Sequence, residues 1–122
     1  MTDKSRRYVL VVEDEALLLF TIADELRDAG FTVYEASNAD EAIRQLETRP
    51  QIDILFTDID MPGSMDGLRL SAAVRDRWPP VKIIVTSGKR NPGADALPEG
   101  GVFMSKPYAP ERLTSTIHAM LG

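Results

Sequence analysis

Residues 54–60 read ILFTDID, an apolar run that stops at Asp58. A nearly continuous apolar run of this length is expected for a strand that is buried on both faces of a parallel sheet. Two further runs end in the same way, since YVLVV is followed by Glu13 and Asp14, and GVFMS is followed by Lys106. Ligands bind beside the carboxyl ends of the strands in open α/β sheets, so we expect these endings to meet at one pocket.

The pocket predicted in this way contains three carboxylates and one ammonium group. Packed carboxylates repel one another, and a hard divalent cation bound through oxygen is the usual partner that makes such a cluster stable. A lysine opposite the carboxylates suggests a further anion, most simply a phosphoryl group. The residue types therefore indicate a site that handles phosphate together with a metal such as Mg²⁺.

The rest of the chain alternates strands and helices without a repeat or a linker. Predicted strands cover residues 8–12, 32–36, 53–57, 81–86 and 101–104. Predicted helices cover residues 15–29, 38–48, 67–78 and 111–121, and Asn38 followed three residues later by Glu41 resembles a capping box. Alternating βα units of this length predict an α/β fold with a parallel sheet that is covered by helices on both faces.

One stretch departs from this alternation. Residues 87–100 read SGKRNPGADALPEG, which contains two prolines, three glycines and a single large apolar side chain, Leu97. No complete amphipathic helix fits this composition. We therefore expect the fourth helix to be short or irregular, with at most one turn at residues 94–97.

Length and composition are those of one globular domain. The chain has 122 residues, of which 43% are hydrophobic and 27% charged, and we expect a single domain over residues 1–122 with its core at about 7–121. No apolar stretch approaches the ~20 residues of a membrane span, so we expect a cytoplasmic protein that has no membrane contact. The absence of cysteine excludes disulfides and thiol nucleophiles, and the net charge of −5 argues against binding to nucleic acid.

Several groups of residues, spread over the whole chain, resemble the receiver domain of two-component response regulators. They are Glu13-Asp14, Asp58 with Met61-Pro62 and Met65-Asp66-Gly67, Thr86-Ser87, and Lys106-Pro107. The resemblance implies a flavodoxin-like, doubly wound five-stranded parallel sheet in the order 2-1-3-4-5 with five helices. It also implies that the protein accepts a phosphoryl group from a histidine kinase or a histidine phosphotransfer protein.

The same resemblance implies a role for each matching residue. Asp58 is similar to the phosphoacceptor, and the residues similar to the Mg²⁺ ligands are Glu13, Asp14, Asp58 and Asp60, the last through its backbone carbonyl. Thr86 and Lys106 are similar to the hydroxyl and the ammonium group that contact the phosphoryl oxygens. Thr86 and Phe103 together resemble the pair that switches the domain, and the output then passes through the face formed by strands four and five.

Three positions differ from the usual pattern of the family. The loop at residues 61–67 is one residue longer than the common form, which affects the backbone that follows Asp60. Phe103 stands where a tyrosine is frequent and has no hydroxyl, so it can signal only through the position of its ring. Ser87 follows Thr86 where alanine is common, and it is still small enough to leave access to a phosphoryl group.

Alternatives to a stand-alone phosphorylated receiver remain open from sequence. The chain ends directly after its last helix, which fits a stand-alone receiver that signals to an unknown protein target, with a phosphorylation-dependent dimer as one form of output. It also fits a receiver cut from a multidomain regulator or a hybrid kinase. A pseudo-receiver that binds partners without phosphorylation would fail to bind Mg²⁺ and beryllofluoride. Asp58-Ile59-Asp60 also matches the DxD motif of haloacid-dehalogenase-type phosphatases, which release phosphate from small monoesters.

Overall fold

A computed structural model gives the fold of the chain and describes residues 6–61, 63, 65–89 and 91–122. The strands are β1 (Tyr8–Val12), β2 (Thr32–Ala36), β3 (Ile54–Asp58), β4 (Lys82–Ser87) and β5 (Val102–Ser105). The α-helices are α1 (Ala16–Asp28), α2 (Ala39–Thr48), α3 (Gly67–Arg77) and α4 (Pro110–Leu121). These bounds agree with the predicted elements to within two residues.

All five strands form one parallel sheet. Their order is β2-β1-β3-β4-β5, as the resemblance to receiver domains implied, so β1, β3 and β4 have a strand on each side. In the centre, β3 pairs with β1 and β4, and each of its residues is buried, which explains its apolar sequence. The predicted flavodoxin-like topology is confirmed.

Two hydrophobic clusters cover the faces of this sheet. On one face, Leu46 of α2 and Leu70 of α3 pack with Leu10, Leu55 and other side chains of the central strands. On the opposite face, α1 and α4 contribute their buried apolar residues to a second cluster. The alternation of side chains along each strand supplies both clusters, as expected for a parallel sheet between two helical layers.

The fourth helical element is the shortest. Between β4 and β5 the only helical stretch among the described residues is one 3-10 turn, Ala94–Ala96. The expected five helices are therefore four α-helices and this turn, which is the short or irregular element that the prolines and glycines predicted. Arg75 of α3 donates a hydrogen bond of 2.7 Å to the carbonyl of Glu99, which ties the end of this segment to α3.

Helix α2 begins with a cap that differs slightly from the expected capping box. Asn38 accepts a hydrogen bond of 2.9 Å from the amide of Glu41, as predicted. The Glu41 carboxylate accepts its own hydrogen bonds from the amide and hydroxyl of Ser37, at 2.8 and 2.9 Å, instead of from the amide of Asn38. The carboxylate thus satisfies a donor one residue earlier in the chain than a standard capping box does.

Candidate functional site

The predicted site residues lie at the carboxyl edge of the sheet. Glu13 directly follows β1, Asp58 is the last residue of β3, and Lys106 directly follows β5. Asp58 is also in register with Thr86 on β4. The parallel pairing therefore places these four residues at one edge, as the strand endings predicted.

Three carboxylates form what we call the acidic group: Glu13, Asp14 and Asp58. One carboxylate oxygen from each lies within 4.8 Å of the others. Glu13 and Asp58 are only 2% and 6% exposed, whereas Asp14 is exposed. Burial raises the pKa of Glu13 to about 7, against a smaller opposing effect of the hydrogen bond from the Glu15 amide.

The donor atoms of the acidic group fit a magnesium ion. The Glu13 Oε2 atom accepts a hydrogen bond of 3.0 Å from the Glu15 amide, whereas Oε1 is buried and accepts no hydrogen bond from the described residues. The Lys106 ammonium is 3.6 Å away, which is longer than a hydrogen bond, and a buried carboxylate oxygen without a hydrogen bond is costly. Hard divalent cations bind carboxylate oxygens, so a cation held by this group would satisfy that atom and offset the repulsion between the carboxylates.

Lys106 supplies the positive charge opposite these carboxylates. Its Nζ atom lies 3.1 Å from Asp58 Oδ2 and 3.6 Å from Glu13 Oε1. Burial alone would lower the pKa of Lys106, but the hydrogen bond and the charge of Asp58, together with Glu13, raise it. The side chain is therefore a protonated ammonium group at neutral pH. The peptide bond between Lys106 and Pro107 is cis.

The second oxygen of Asp58 is held by the loop that follows β3. Asp58 Oδ1 accepts a hydrogen bond of 3.1 Å from the backbone amide of Asp60. The side chain of Asp60 extends toward β4, where its Oδ2 atom accepts a hydrogen bond of 2.6 Å from the hydroxyl of Ser87. The sequence predicts Ser87 only as a small neighbour of Thr86, because nothing in a linear sequence pairs it with Asp60.

Thr86 lies near the end of β4, as expected, but its hydroxyl is hydrogen-bonded to β5. Its Oγ1 atom donates a hydrogen bond of 2.7 Å to the backbone carbonyl of Met104 on β5. Phe103, the neighbour of Met104, is half-buried and packs against the cluster beneath α2 and α3. Phe103 is the register partner of Val85, so its backbone lies one position along β5 from Met104, the partner of Thr86.

Gly67 allows the loop to return close to Asp58. A Cβ atom on Gly67 would clash with the backbone carbonyl of Asp58, so only glycine fits this position. The Gly67 amide and the Met61 amide both donate to the carbonyl of Ile59, at 3.0 and 3.1 Å. The Asp66 carboxylate caps α3 by accepting a hydrogen bond of 2.9 Å from the Arg69 amide. Pro62 and Ser64, where the longer loop was predicted, lie outside the described residues.

These residues surround an open cavity of about 400 Å³, which we call the strand-end cleft. It is lined by Asp14, Glu15, Asp58, Asp60, Gly88, Lys89 and Lys106. The cleft therefore brings carboxylates and two lysines together. The cleft has room for a small anion beside Asp58, and Lys89 is a lining residue that the sequence patterns did not single out.

Comparison with known proteins identifies the family. A sequence model described as the response regulator receiver domain matches residues 9–118. The chain belongs to this family. Receiver domains are signalling modules that bind Mg²⁺ at an acidic pocket, receive phosphate on an aspartate and interact with histidine kinases or phosphotransfer proteins. The DxD phosphatase alternative is set aside by this membership.

Known relatives include both whole proteins and isolated receiver domains. This receiver domain is 36% identical over 120 residues to the sensor kinase CckA of Brucella abortus (strain 2308). The aligned region covers 93% of this chain and 12% of the kinase. A crystal structure of the receiver domain from hybrid histidine kinase CckA matches with a TM-score of 0.79 and 30% identity, over 94% of this chain and 99% of that one. A crystal structure of a response regulator receiver protein from Sinorhizobium medicae WSM419 gives a TM-score of 0.86 and 27% identity, over 98% and 97%.

The curated relatives are much longer than this receiver domain. The chain spans less than a third of the length of those it matches. Their similarity therefore concerns the receiver domain that each of them contains.

Proposed function

We propose that this protein is a phosphorylation-dependent receiver of a two-component system, with residues 1–122 as one receiver domain and Asp58 as the phosphoacceptor. The observation that supports the proposal best is the environment of Asp58. Its buried carboxylate lies 3.1 Å from the ammonium of Lys106 and beside two further carboxylates. We further propose that Glu13, Asp14, Asp58 and the backbone carbonyl of Asp60 hold Mg²⁺.

The proposed reaction is a phosphoryl transfer to an Asp58 oxygen. The Asp58 carboxylate attacks the phosphorus atom of a phosphohistidine, a phosphorus–oxygen bond forms, and the imidazole leaves with the electron pair of the broken phosphorus–nitrogen bond. Bound Mg²⁺ would supply positive charge against the phosphoryl oxygens. Lys106, already paired with Asp58, follows the new negative charge because its ammonium lies on a flexible stem.

The proposal limits the protein to reactions of its own aspartate. The chain would catalyse its own phosphorylation and the later hydrolysis of the acyl phosphate, and it would turn over no separate substrate. The direct test is incubation of the purified protein with Mg²⁺ and either acetyl phosphate or a labelled histidine kinase. Uptake of hydroxylamine-sensitive phosphate would support the proposal, and no uptake from any of these donors would contradict it.

The proposed switch begins with the hydrogen bond between Thr86 and Met104. A phosphoryl group on Asp58 offers Thr86 a charged acceptor, and a charge-assisted hydrogen bond is stronger than one to a neutral carbonyl. Once Thr86 leaves Met104, the ring of Phe103 can fill the vacated space. The neighbouring segment, residues 88–100, has few buried apolar side chains among its described residues and offers little resistance. The surface formed by β4 and β5 therefore changes, which a partner senses as a population shift.

Amide hydrogen exchange tests this route. We expect beryllofluoride with Mg²⁺ to change exchange most in residues 86–108, with α1 and α2 little affected. Thr86→Val, which has a similar shape and no hydroxyl, should still bind beryllofluoride but lose the change beyond residue 88. Thr86→Ser is the matched control and should keep it. Uniform protection of the whole domain, or a response confined to α1, would contradict the route.

An exposed apolar surface lies beside the strand-end cleft. Leu17 and Phe20 on α1 are 78% and 61% exposed, which is unusual for large apolar side chains. Next to them, a mainly apolar cavity of about 260 Å³ lies between α1 and the start of α4, with Leu18 and Tyr108 in its wall. Lys106 lines this cavity and the strand-end cleft alike. We propose that the helix bearing the donor phosphohistidine docks here, because a donor on this surface reaches Asp58 past Lys106.

Two kinds of phosphodonor separate docking from chemistry. We expect the double variant Leu17→Ser with Phe20→Ser to reduce transfer from a histidine kinase about tenfold or more, since exposed apolar anchors carry much of the energy of such interfaces. Labelling by acetyl phosphate should stay as in the wild type, because it needs no docking. The histidine kinase used is the member of a panel of kinases that phosphorylates the wild type fastest. Equal loss with both donors, or no loss with the kinase, would contradict this docking surface.

The remaining proposals concern location and output. No helix in the described part of the chain is long and apolar enough to cross a membrane. We propose a cytoplasmic protein whose output is contact with another protein, or a phosphorylation-dependent dimer, without contact to membrane or nucleic acid. The net charge of −5 supports this choice, because nucleic-acid binding requires a positively charged surface.

A further inference from the structure

Ser87 connects the two walls of the strand-end cleft. It is the last residue of β4 and is only 1% exposed. Its hydroxyl donates the 2.6 Å hydrogen bond to Asp60 Oδ2 and accepts a hydrogen bond of 3.1 Å from the backbone amide of Lys89. The loop after β3 and the segment after β4, which contribute Asp60 and Lys89 to the cleft, are therefore joined through one buried hydroxyl.

The connection continues to the proposed phosphoacceptor. The Asp60 amide donates to Asp58 Oδ1 at 3.1 Å, while Lys106 holds the other Asp58 oxygen. A chain of hydrogen bonds thus runs from Ser87 through Asp60 to Asp58. A carboxylate that is held at both oxygens cannot rotate freely, which keeps one oxygen in place for attack.

Ser87 is well suited to anchor this chain because it lies on a rigid element. Ser87 is the register partner of Ser105 on β5, and its backbone carbonyl accepts a hydrogen bond of 3.0 Å from the Lys106 amide. Asp60, in contrast, lies in the loop between β3 and α3. The 2.6 Å distance is in the range of hydrogen bonds between a hydroxyl and a carboxylate, which are stronger than neutral ones. The bond therefore holds a loop residue to a fixed strand.

We propose that Ser87 is a positioning residue for the phosphoacceptor, which its hydroxyl orients through Asp60. This inference rests on the proposed function of Asp58. Two adjacent hydroxyls at the end of β4 then have different partners, since Thr86 binds β5 while Ser87 binds the loop after β3. Ser87 then helps to position Asp58, while its neighbour Thr86 fixes the end of β4 to β5.

The first test uses the protein without metal or phosphate. The backbone amide of Asp60 reports on its bond to Asp58, and we expect Ser87→Ala to increase its hydrogen exchange about tenfold relative to the central β3 amides. The matched control is Ser105→Ala, the same substitution at the exposed register partner of Ser87. It should leave Asp60 unchanged. A general loss of stability would instead raise exchange in β3 and β4 alike, which would overturn a positioning role.

The second test measures phosphorylation by acetyl phosphate with Mg²⁺. We expect Ser87→Ala to label about tenfold more slowly than the wild type, which corresponds to ~1.4 kcal/mol of barrier. Ser105→Ala, the matched control of the first test, should label at the wild-type rate. A wild-type rate in Ser87→Ala, with the wild type itself labelled normally, would overturn the role of Ser87 alone. A wild type that takes no label would overturn the proposed function and this inference with it.

Discussion

Asp58→Asn is expected to lose all detectable phosphorylation while it keeps the fold. The substitution preserves the size of the side chain and one acceptor oxygen for the Asp60 amide, but an amide is not a nucleophile toward phosphorus. The remaining carboxylates, Glu13 and Asp14, lie beside Asp58 but lack its position at the end of the central strand. We therefore expect labelling by acetyl phosphate to fall at least about a hundredfold, measured as hydroxylamine-sensitive phosphate by intact mass.

A matched control separates Asp58 from the second aspartate of the loop. Asp60→Asn removes a carboxylate two residues away, and we expect this variant to take label because Asp60 is not the attacking group. If Asp58→Asn still accepted phosphate, the assignment of the phosphoacceptor would be wrong. A wild-type protein that takes no label from any donor, and does not bind beryllofluoride, would favour a pseudo-receiver.

The position of the site followed from the sequence because it depends on residue type and periodicity, whereas the strand order was implied by the resemblance to receiver domains. Each apolar run ends where the strand ends, and parallel strands bring those ends together. The β4–β5 segment could also be predicted, since two prolines and three glycines leave no helical period. One of the two hydrogen bonds of the capping box predicted for α2 is present, since the side chain of Asn38 accepts from the amide of Glu41.

What the sequence did not predict depends on the direction of individual side chains. Thr86 turns to Met104 and Ser87 turns to Asp60, although the two residues are adjacent and both have hydroxyls. Alternation along a strand sends neighbouring side chains to opposite faces, but which acceptor each one meets is set by the adjacent strand and loop. The close return of Gly67 onto Asp58 is likewise a contact between distant parts of the backbone.

The second large effect expected is stabilisation by Mg²⁺ through the acidic group. A ligand that binds only the native state stabilises it by RT ln(1 + [L]/Kd), about 2.7 kcal/mol at a hundredfold excess over Kd. For a chain of this size that corresponds to an increase of about 10 °C in the unfolding temperature. The buried Oε1 atom of Glu13, which accepts no hydrogen bond from the described residues, makes this group a strong candidate for the site.

Asp14→Ala should abolish the stabilisation by Mg²⁺. Without metal, the same substitution should not lower the unfolding temperature. Asp14 is exposed, so its removal creates no cavity, and the loss of one charge relieves repulsion with Glu13 and Asp58. We therefore expect the variant to unfold at the same or a slightly higher temperature than the wild type in EDTA, and at a much lower one in Mg²⁺. Asp24→Ala, which removes an exposed aspartate from α1, is the matched control and should keep the full Mg²⁺ shift. A shift that survives the loss of both Glu13 and Asp14 would place the metal elsewhere, because Asp58 alone offers too few oxygen ligands.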